Sequence, residues 1–408
     1  MIPDKLREGD GIRVISPARS MSIISDETKH IANECFEQMK LKVSFSKNVF
    51  EIDEFNSSSI SSRVEDLHAS FSDKNIKAIL TTVGGFNSNQ LLKYLDFDLI
   101  KKNPKILCGY SDITALANAI YAKTGLVTYS GPHYSSFGIK YGTEYDIDYF
   151  RKCLMSNESF KVTPSETWSD DKWFLDQEKR SFVKNPGYEI INPGKAKGTI
   201  IGGNLCTLNL LQGTEFMPSL KNAILFLEDD YTSNPQLFDR DLQSLLHLPD
   251  FDKVKAVLIG RFQIESKISD ELLKKVLSTK RELNGLPIIT NVNFGHVNPR
   301  ITFPIGGEAV IDFNDKKNPL NHHTLVTLCN LFRVVLTFVE NQAFVVLNCL
   351  SVCSLIISAT VEFFVRTMLN FALVSYSWCR IMWKFNFSVL FELEYLSHLS
   401  LKSAGKYI

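Results

Sequence analysis

The chain has 408 residues, 44% of them hydrophobic and 22% charged, and its 45 basic and 45 acidic residues leave a net charge of zero. That length carries two domains with cores of their own, and the balanced charge excludes a general attraction to nucleic acid or to an anionic membrane. The eight cysteines form no Cys-x-x-Cys pair and the charged N-terminus lacks an apolar core, so zinc chemistry and secretion have no sequence support and a cytoplasmic protein is expected.

Residues 11–17 read as a short apolar strand ending at a breaker, and residues 28–39 as a helix. Residues 77–83 are β-branched and apolar and end at Gly84-Gly85. Residues 105–108 form a short strand that enters Gly109-Tyr110-Ser111-Asp112, followed by an Ala-rich helix over 114–122 and a strand over 126–129. This alternation predicts an α/β fold with a Rossmann-like parallel sheet over residues 1–160. Ligands of such sheets bind at the carboxyl ends of the strands. Residues 161–195 are polar, rich in Trp and Asp and without a clear period, and are expected to form an exposed linker or substrate loop. A smaller β-rich domain is expected over 196–317, with strands near 198–201, 223–227, 256–259, 287–292 and 308–313 and a helix near 238–246.

The composition then changes. Residues 318–408 hold six Lys/Arg, four Glu, no Asp, one Pro and one Gly, far fewer charges than a globular domain carries. Residues 343–361 lack any charge and approach the length of a membrane span. This apolar tail is atypical. A frame-shifted or wrongly joined reading frame is the favoured reading, and a membrane segment the alternative.

The candidate chemistry lies at strand ends. Ser111 follows a strand and precedes a helix, where its Oγ is exposed and the N–H of Asp112 faces developing negative charge. A plain helix cap is the competing reading of Ser111 or Asp112. Gly85, after the strand over 77–83, can bring a second backbone N–H close to a ligand. Glu228 ends an apolar strand and opens an acidic triplet with Asp229 and Asp230. His296 follows another strand and can act as base and acid, with His133 as the competing base.

These residues stand in segments that resemble a known family. Gly109-Tyr110-Ser111-Asp112-Ile113-Thr114 resembles the nucleophile motif of the LD-carboxypeptidases, Leu227-Glu228-Asp229 their catalytic-Glu strand, and Phe294-Gly295-His296 their His motif. Ser62 to Leu67, Gly202 to Leu205 and Phe303 to Gly307 resemble further family segments, in the same order, over about residues 1–315. The resemblance implies Ser111 as nucleophile, His296 as base, Glu228 as the residue orienting it, and an oxyanion hole from the backbone of Gly85 and Asp112, with no metal or cofactor. The segment Val83 to Asn89 and the long loop after residue 160 look like the microcin C immunity branch, whose substrates are aminoacyl or peptidyl nucleotides. That likeness implies a loop aromatic stacking on the nucleobase, Trp173 first and Trp168 second, with Asn204 and Asn87 as further substrate-binding candidates. A muropeptide LD-carboxypeptidase is the alternative, and a non-catalytic binding protein on the same scaffold a third reading. The family also implies a homodimer, with a membrane partner only if the tail is genuine.

Overall fold

The computed structural model describes residues 1–313 and 324–329. Its first part runs β1 (Gly11–Ile15), α1 (Asp26–Gln38), β2 (Lys42–Phe45), α2 (Ile60–Ser72), β3 (Ile76–Thr81), α3 (Phe97–Lys102), β4 (Ile106–Cys108), α4 (Ile113–Thr124), β5 (Thr128–Ser130) and α5 (Glu144–Leu154). The five strands lie parallel in the order β2-β1-β3-β4-β5. Helices cover both faces, so the central strands are near-continuous apolar runs rather than alternating ones. Helix starts follow the local chemistry. Ser25 accepts from the N–H of Thr28 ahead of Asp26 and Glu27 at α1, and Ser59 accepts from Ser62 at α2.

The second part runs β6 (Phe160–Val162), β7 (Thr167–Trp168), β8 (Val183–Lys184), β9 (Glu189–Asn192), β10 (Gly194–Asn204), α6 (Leu205–Asn209), β11 (Ala223–Glu228), α7 (Pro235–Leu246), β12 (Ala256–Gly260), α8 (Asp270–Ser278), β13 (Ile288–Val292), β14 (Phe303–Ile305), β15 (Glu308–Phe313) and β16 (Thr324–Cys329). Strands β10 to β13 are mutually parallel and form the middle of an eight-stranded sheet, flanked by antiparallel strands in the order β6-β16-β15-β10-β11-β12-β13-β9. The α/β class with a parallel N-terminal sheet and a β-rich second part therefore holds, although the second sheet has more strands than the first.

Three features depart from the sequence expectation. The segment read as a linker contains β6, the β7–β8 hairpin and β9. Strands of two to four residues are too short to show a period. Strand β14 leaves the second part and pairs antiparallel with β5, closing the edge of the first sheet. Strand β16 lies inside the region read as an atypical tail, yet it pairs with β15 on one side and β6 on the other. The remainder of 318–408, including the apolar stretch 343–361 and with it the frame-shift and membrane readings, lies outside the described residues. Among the described residues no helix is long and apolar enough to cross a membrane.

Helix α4 joins the two sheets. Its Ile113, Leu116 and Ile120 are fully buried and share one core with Leu205 and Leu208 of α6 and Leu225 of β11. Each such side chain is worth about 1.5–3 kcal/mol on burial. Register is set by polar groups: Asn118 Nδ2 donates to the carbonyl of Gly202 at 2.8 Å and its Oδ1 accepts the Gly202 N–H at 3.3 Å. Thr114 Oγ1 accepts the N–H of Asn204 at 3.0 Å. An unpaired buried amide is costly, so these bonds admit one sliding position of α4 along β10. That position sets the start of α4 against the ends of β10 and β11.

Candidate active site

Ser111 sits between β4 and α4 with φ of 59°. A left-handed conformation at a non-glycine residue costs about 1–2 kcal/mol, and here it turns the hydroxyl out above the sheet instead of into the helix. The Oγ lies 2.9 Å from Nε2 of His296. The other ring nitrogen, Nδ1, lies 2.7 Å from Oε2 of Glu228. A carboxylate can only accept, so Nδ1 carries the proton and Nε2 is left to accept from the serine hydroxyl. The three residues come from the carboxyl ends of β4, β11 and the loop after β13. The site thus forms where the carboxyl ends of the parallel strands of the two sheets meet.

Glycines make the close approaches possible. A Cβ on Gly84 would lie 2.9 Å from both Cβ and Oγ of Ser111. Gly295 has φ of +104°, and a Cβ there would lie 2.8 Å from Oε2 of Glu228. Both positions bring backbone against a side chain of the Ser111–His296–Glu228 chain, an approach that the absence of a Cβ permits.

Burial by itself would lower the His296 pKa, but the charge and hydrogen bond of Glu228, with Asp230 behind it, hold the imidazole above its ordinary value. His133, the competing base, has other hydrogen-bonding surroundings. It is buried with Nδ1 at 2.7 Å from Thr81 Oγ1, its ring packs on Tyr110, and its Nε2 has no hydrogen-bond partner. Burial first, then the charges of Arg300 and His296, push its pKa well below the usual histidine value. The structure brings His296, and not His133, onto Ser111.

The capping alternative also receives a clear answer. Asp112 starts α4 without a side-chain capping bond. Its carboxylate instead accepts the N–H groups of Asn87 at 3.1 Å and Ser88 at 2.9 Å, while Ser88 Oγ donates to the Asp112 carbonyl at 2.7 Å. Burial raises the Asp112 pKa despite these bonds. The carboxylate thereby ties the Gly84-Gly85 loop to the start of α4. No hydrogen bond among the described residues engages the N–H of Gly85 or of Asp112.

A cavity of about 540 Å³ opens above Ser111, lined among others by Gly85, Tyr110, His133, Trp173, His296 and Arg300. Trp173 therefore reaches the cavity. Trp168 does not line it: its ring lies on the β7–β8 hairpin, with the Arg261 guanidinium 4.9 Å from its centre. Asn204 is buried away from it, accepting from Thr207 N at 3.1 Å and donating to Asp229 Oδ1 at 3.1 Å. Asn87 lines a neighbouring cavity of about 380 Å³, together with Arg19, Phe55 and Phe86. Sequence reasoning passed over Tyr110, Arg300 and Arg19. A signal for Arg300 was available, because a charge just ahead of the apolar-rich segment from Ile301 to Ile305 needs a partner if it is buried. That partner is Asp146, 3.6 Å away, whose pKa burial pushes up to about 6.

The LD-carboxypeptidase N-terminal domain matches residues 12–131 and the LD-carboxypeptidase C-terminal domain residues 197–311. The candidate carboxypeptidase YocD of Bacillus subtilis is 59% identical over 312 residues, covering 76% of this chain and 96% of that protein. The microcin C7 self-immunity protein MccF of Escherichia coli is 33% identical, covering 79% and 96%. A probable murein peptide carboxypeptidase of Bacillus subtilis is 32% identical, covering 77% and 92%. Among solved structures, an MccF-like protein from Bacillus anthracis superimposes with a TM-score of 0.78 at 55% identity, covering 81% of this chain and 99% of that one. MccF in complex with glutamyl sulfamoyl guanosine gives 0.71 at 30% identity, covering 80% and 98%.

Proposed function

We infer the chemistry from one premise: the chain belongs to the LD-carboxypeptidase family and is a serine-type carboxypeptidase. Within that family we propose that Ser111, His296 and Glu228 act as the catalytic triad. The observation that carries this reading is the unbroken chain from Ser111 Oγ through His296 to Glu228, at 2.9 and 2.7 Å. His296 Nε2 takes the hydroxyl proton as Oγ attacks the scissile carbonyl carbon. The N–H groups of Gly85 and Asp112 receive the oxyanion, and Glu228 stabilises the imidazolium. His296 returns the proton to the departing nitrogen, leaving an acyl group on Ser111. Water, activated by the same imidazole, then releases it.

For the substrate we favour an aminoacyl or peptidyl group joined by an amide-type bond to a nucleotide. Trp173 on the cavity wall supports this, since a π-face accepts any base. So does the relative solved with glutamyl sulfamoyl guanosine. A muropeptide substrate is the second reading, favoured by the murein peptide carboxypeptidase relative. The triad geometry weighs against a binding protein without activity. The enzyme is taken to be a cytoplasmic homodimer, and the free thiols of Cys35, Cys108, Cys153 and Cys206 suit a reducing compartment.

The test is hydrolysis of an aminoacyl sulfamoyl adenylate beside D-alanine release from a muropeptide tetrapeptide. Ser111→Ala is expected to bind whichever probe is the substrate and to turn over neither. Undiminished hydrolysis by that variant would overturn the mechanism, and cleavage of the tetrapeptide alone would overturn the nucleotide reading.

A further inference from the structure

The first sheet reverses its winding between β1 and β3, and open α/β sheets bind ligands in the crevice above such a point. Arg19 lies in the loop after β1, and Gly84 to Phe86 in the loop after β3. The two loops are joined there, the Arg19 N–H donating to the Gly84 carbonyl at 3.4 Å. A Cβ on Gly85 would come within 3.3 Å of Arg19 Cγ, so the arginine stem rests on the residue whose N–H is taken to receive the oxyanion. The guanidinium then lies over Phe86, 5.1 Å from the ring centre. Phe86 is 70% exposed. Arg19 and Phe86 both line the active-site cavity and the neighbouring one.

The other charged side chains of the cavity each have a charged or hydrogen-bonded partner, although Nε and Nη1 of the buried Arg300 make no hydrogen bond. Lys172 pairs with Glu265 at 2.8 Å and Arg300 with Asp146 at 3.6 Å. Asp171 is held by Arg180, Asp170 accepts from Gln263 and from Ile264 N, and Asp230 accepts from Thr232 while raising the pKa of His296. Among the described residues, Arg19 is the one cation of this cavity with no carboxylate within ion-pair distance. A guanidinium over an aromatic face still presents its in-plane N–H donors, a fork that matches carboxylate and phosphate oxygens.

We propose that Arg19 is the specificity-determining residue that receives an oxyanionic group of the substrate at the junction of the two cavities. The group is the free carboxylate of a peptide or the phosphate-type group of a nucleotide conjugate; both present the same chemistry to the guanidinium. This rests on the reading that the cavity above Ser111 is the active site. Phe86 holds the guanidinium at the mouth without neutralising it.

The experiment uses the full chain carrying Ser111→Ala, so that binding is read without turnover. Calorimetry compares an acetylated dipeptide acid with its amide, and adenosine monophosphate with adenosine. The charged member of one pair is expected to bind more tightly, and that pair identifies the group. Adding Arg19→Gln is expected to weaken the charged probe about 10- to 100-fold, the range of a lost charge-assisted hydrogen bond. The neutral member should be unaffected, and Arg19→Lys should recover part of the loss. Phosphonate labelling of Ser111 in a protein with Arg19→Gln alone checks that the site is intact. Equal binding of charged and neutral probes, or equal loss of both on substitution, overturns the proposal. Charge selectivity through Arg19 in a protein that hydrolyses neither substrate would uphold Arg19 and sink the catalytic reading. Hydrolysis unaffected by Arg19→Gln would do the reverse.

Discussion

Gly84→Ala isolates the steric requirement of the site. The φ of Gly84 lies outside the left-handed region, so alanine adopts this backbone without strain and the effect reduces to one methyl group. That methyl would stand 2.9 Å from both Cβ and Oγ of Ser111, where carbon pairs normally rest about 3.5–4.0 Å apart. Ser111 or the glycine loop must retreat by about 0.5–1 Å. The loop is fixed by Asp112, which accepts from Asn87 and Ser88, so the serine moves and its 2.9 Å contact with His296 is lost. A misplacement of about 1 Å costs on the order of 100-fold in rate. The expected result is a fall in kcat of about 10- to 100-fold with KM little changed. The stability cost is about 1–3 kcal/mol for overpacking, partly offset by about 0.4–1 kcal/mol from the lower entropy of the unfolded chain. Steady-state kinetics, the rate of phosphonate labelling at Ser111 and a thermal melt read the three quantities. Wild-type kcat and labelling in a folded Gly84→Ala protein would refute the contact, and with it the placement of Ser111.

His296 must be neutral to accept a proton, and its pKa is held above the ordinary value of about 6.5 by Glu228. The acid limb of kcat/KM should therefore lie above that pH. Glu228→Gln should move it to lower pH while reducing kcat on the order of 10³- to 10⁴-fold; an unmoved limb would remove Glu228 from the triad. Asp229 is buried, and burial first, then the charges of Glu228 and Asp230, push its pKa up to about 7. A folded pKa above the unfolded one means stability present at low pH and lost as pH rises through about 7. Asp229→Asn should thus raise Tm at pH 8 relative to the wild type and change it little at pH 4, and a loss at both would contradict the burial argument. Trp173→Ala should raise KM for an aminoacyl sulfamoyl adenylate about 5- to 100-fold, the worth of one stacked base. Trp168→Ala should leave KM near the wild-type value, and the opposite ranking would exchange their roles.

Most of the architecture was legible from local pattern. The apolar runs that became β1, β3, β4, β11, β12 and β13 are continuous because helices cover both faces, and each ends at a breaker or a polar cluster. Ser111, Glu228 and His296 stood out because they follow such runs, where α/β sheets gather ligands. Segments with little periodicity hid their structure. Strands β6, β7 and β8 are too short to repeat a pattern, and β16 lies in a region whose composition suggested no fold. Trp173 ranked ahead of Trp168 through the resemblance and not through any local pattern; their separation in space depends on how the 169–182 segment folds back between Asn298 and Gln263.

The sequence by itself determined the class of fold, the strand ends and the residue types available there, since propensity, patterning and turn chemistry are local. It also singled out, as the candidate nucleophile, a serine on a strand-to-helix turn. Only the tertiary structure decided which histidine reaches that serine, that the Asp112 carboxylate positions the glycine loop instead of capping a helix, and that Arg19 is left without an acidic partner. These outcomes rest on side chains separated by up to 185 positions along the chain, brought together by the register of α4 on β10 and by the meeting of two sheets at their carboxyl ends. No local pattern records a distance set by packing.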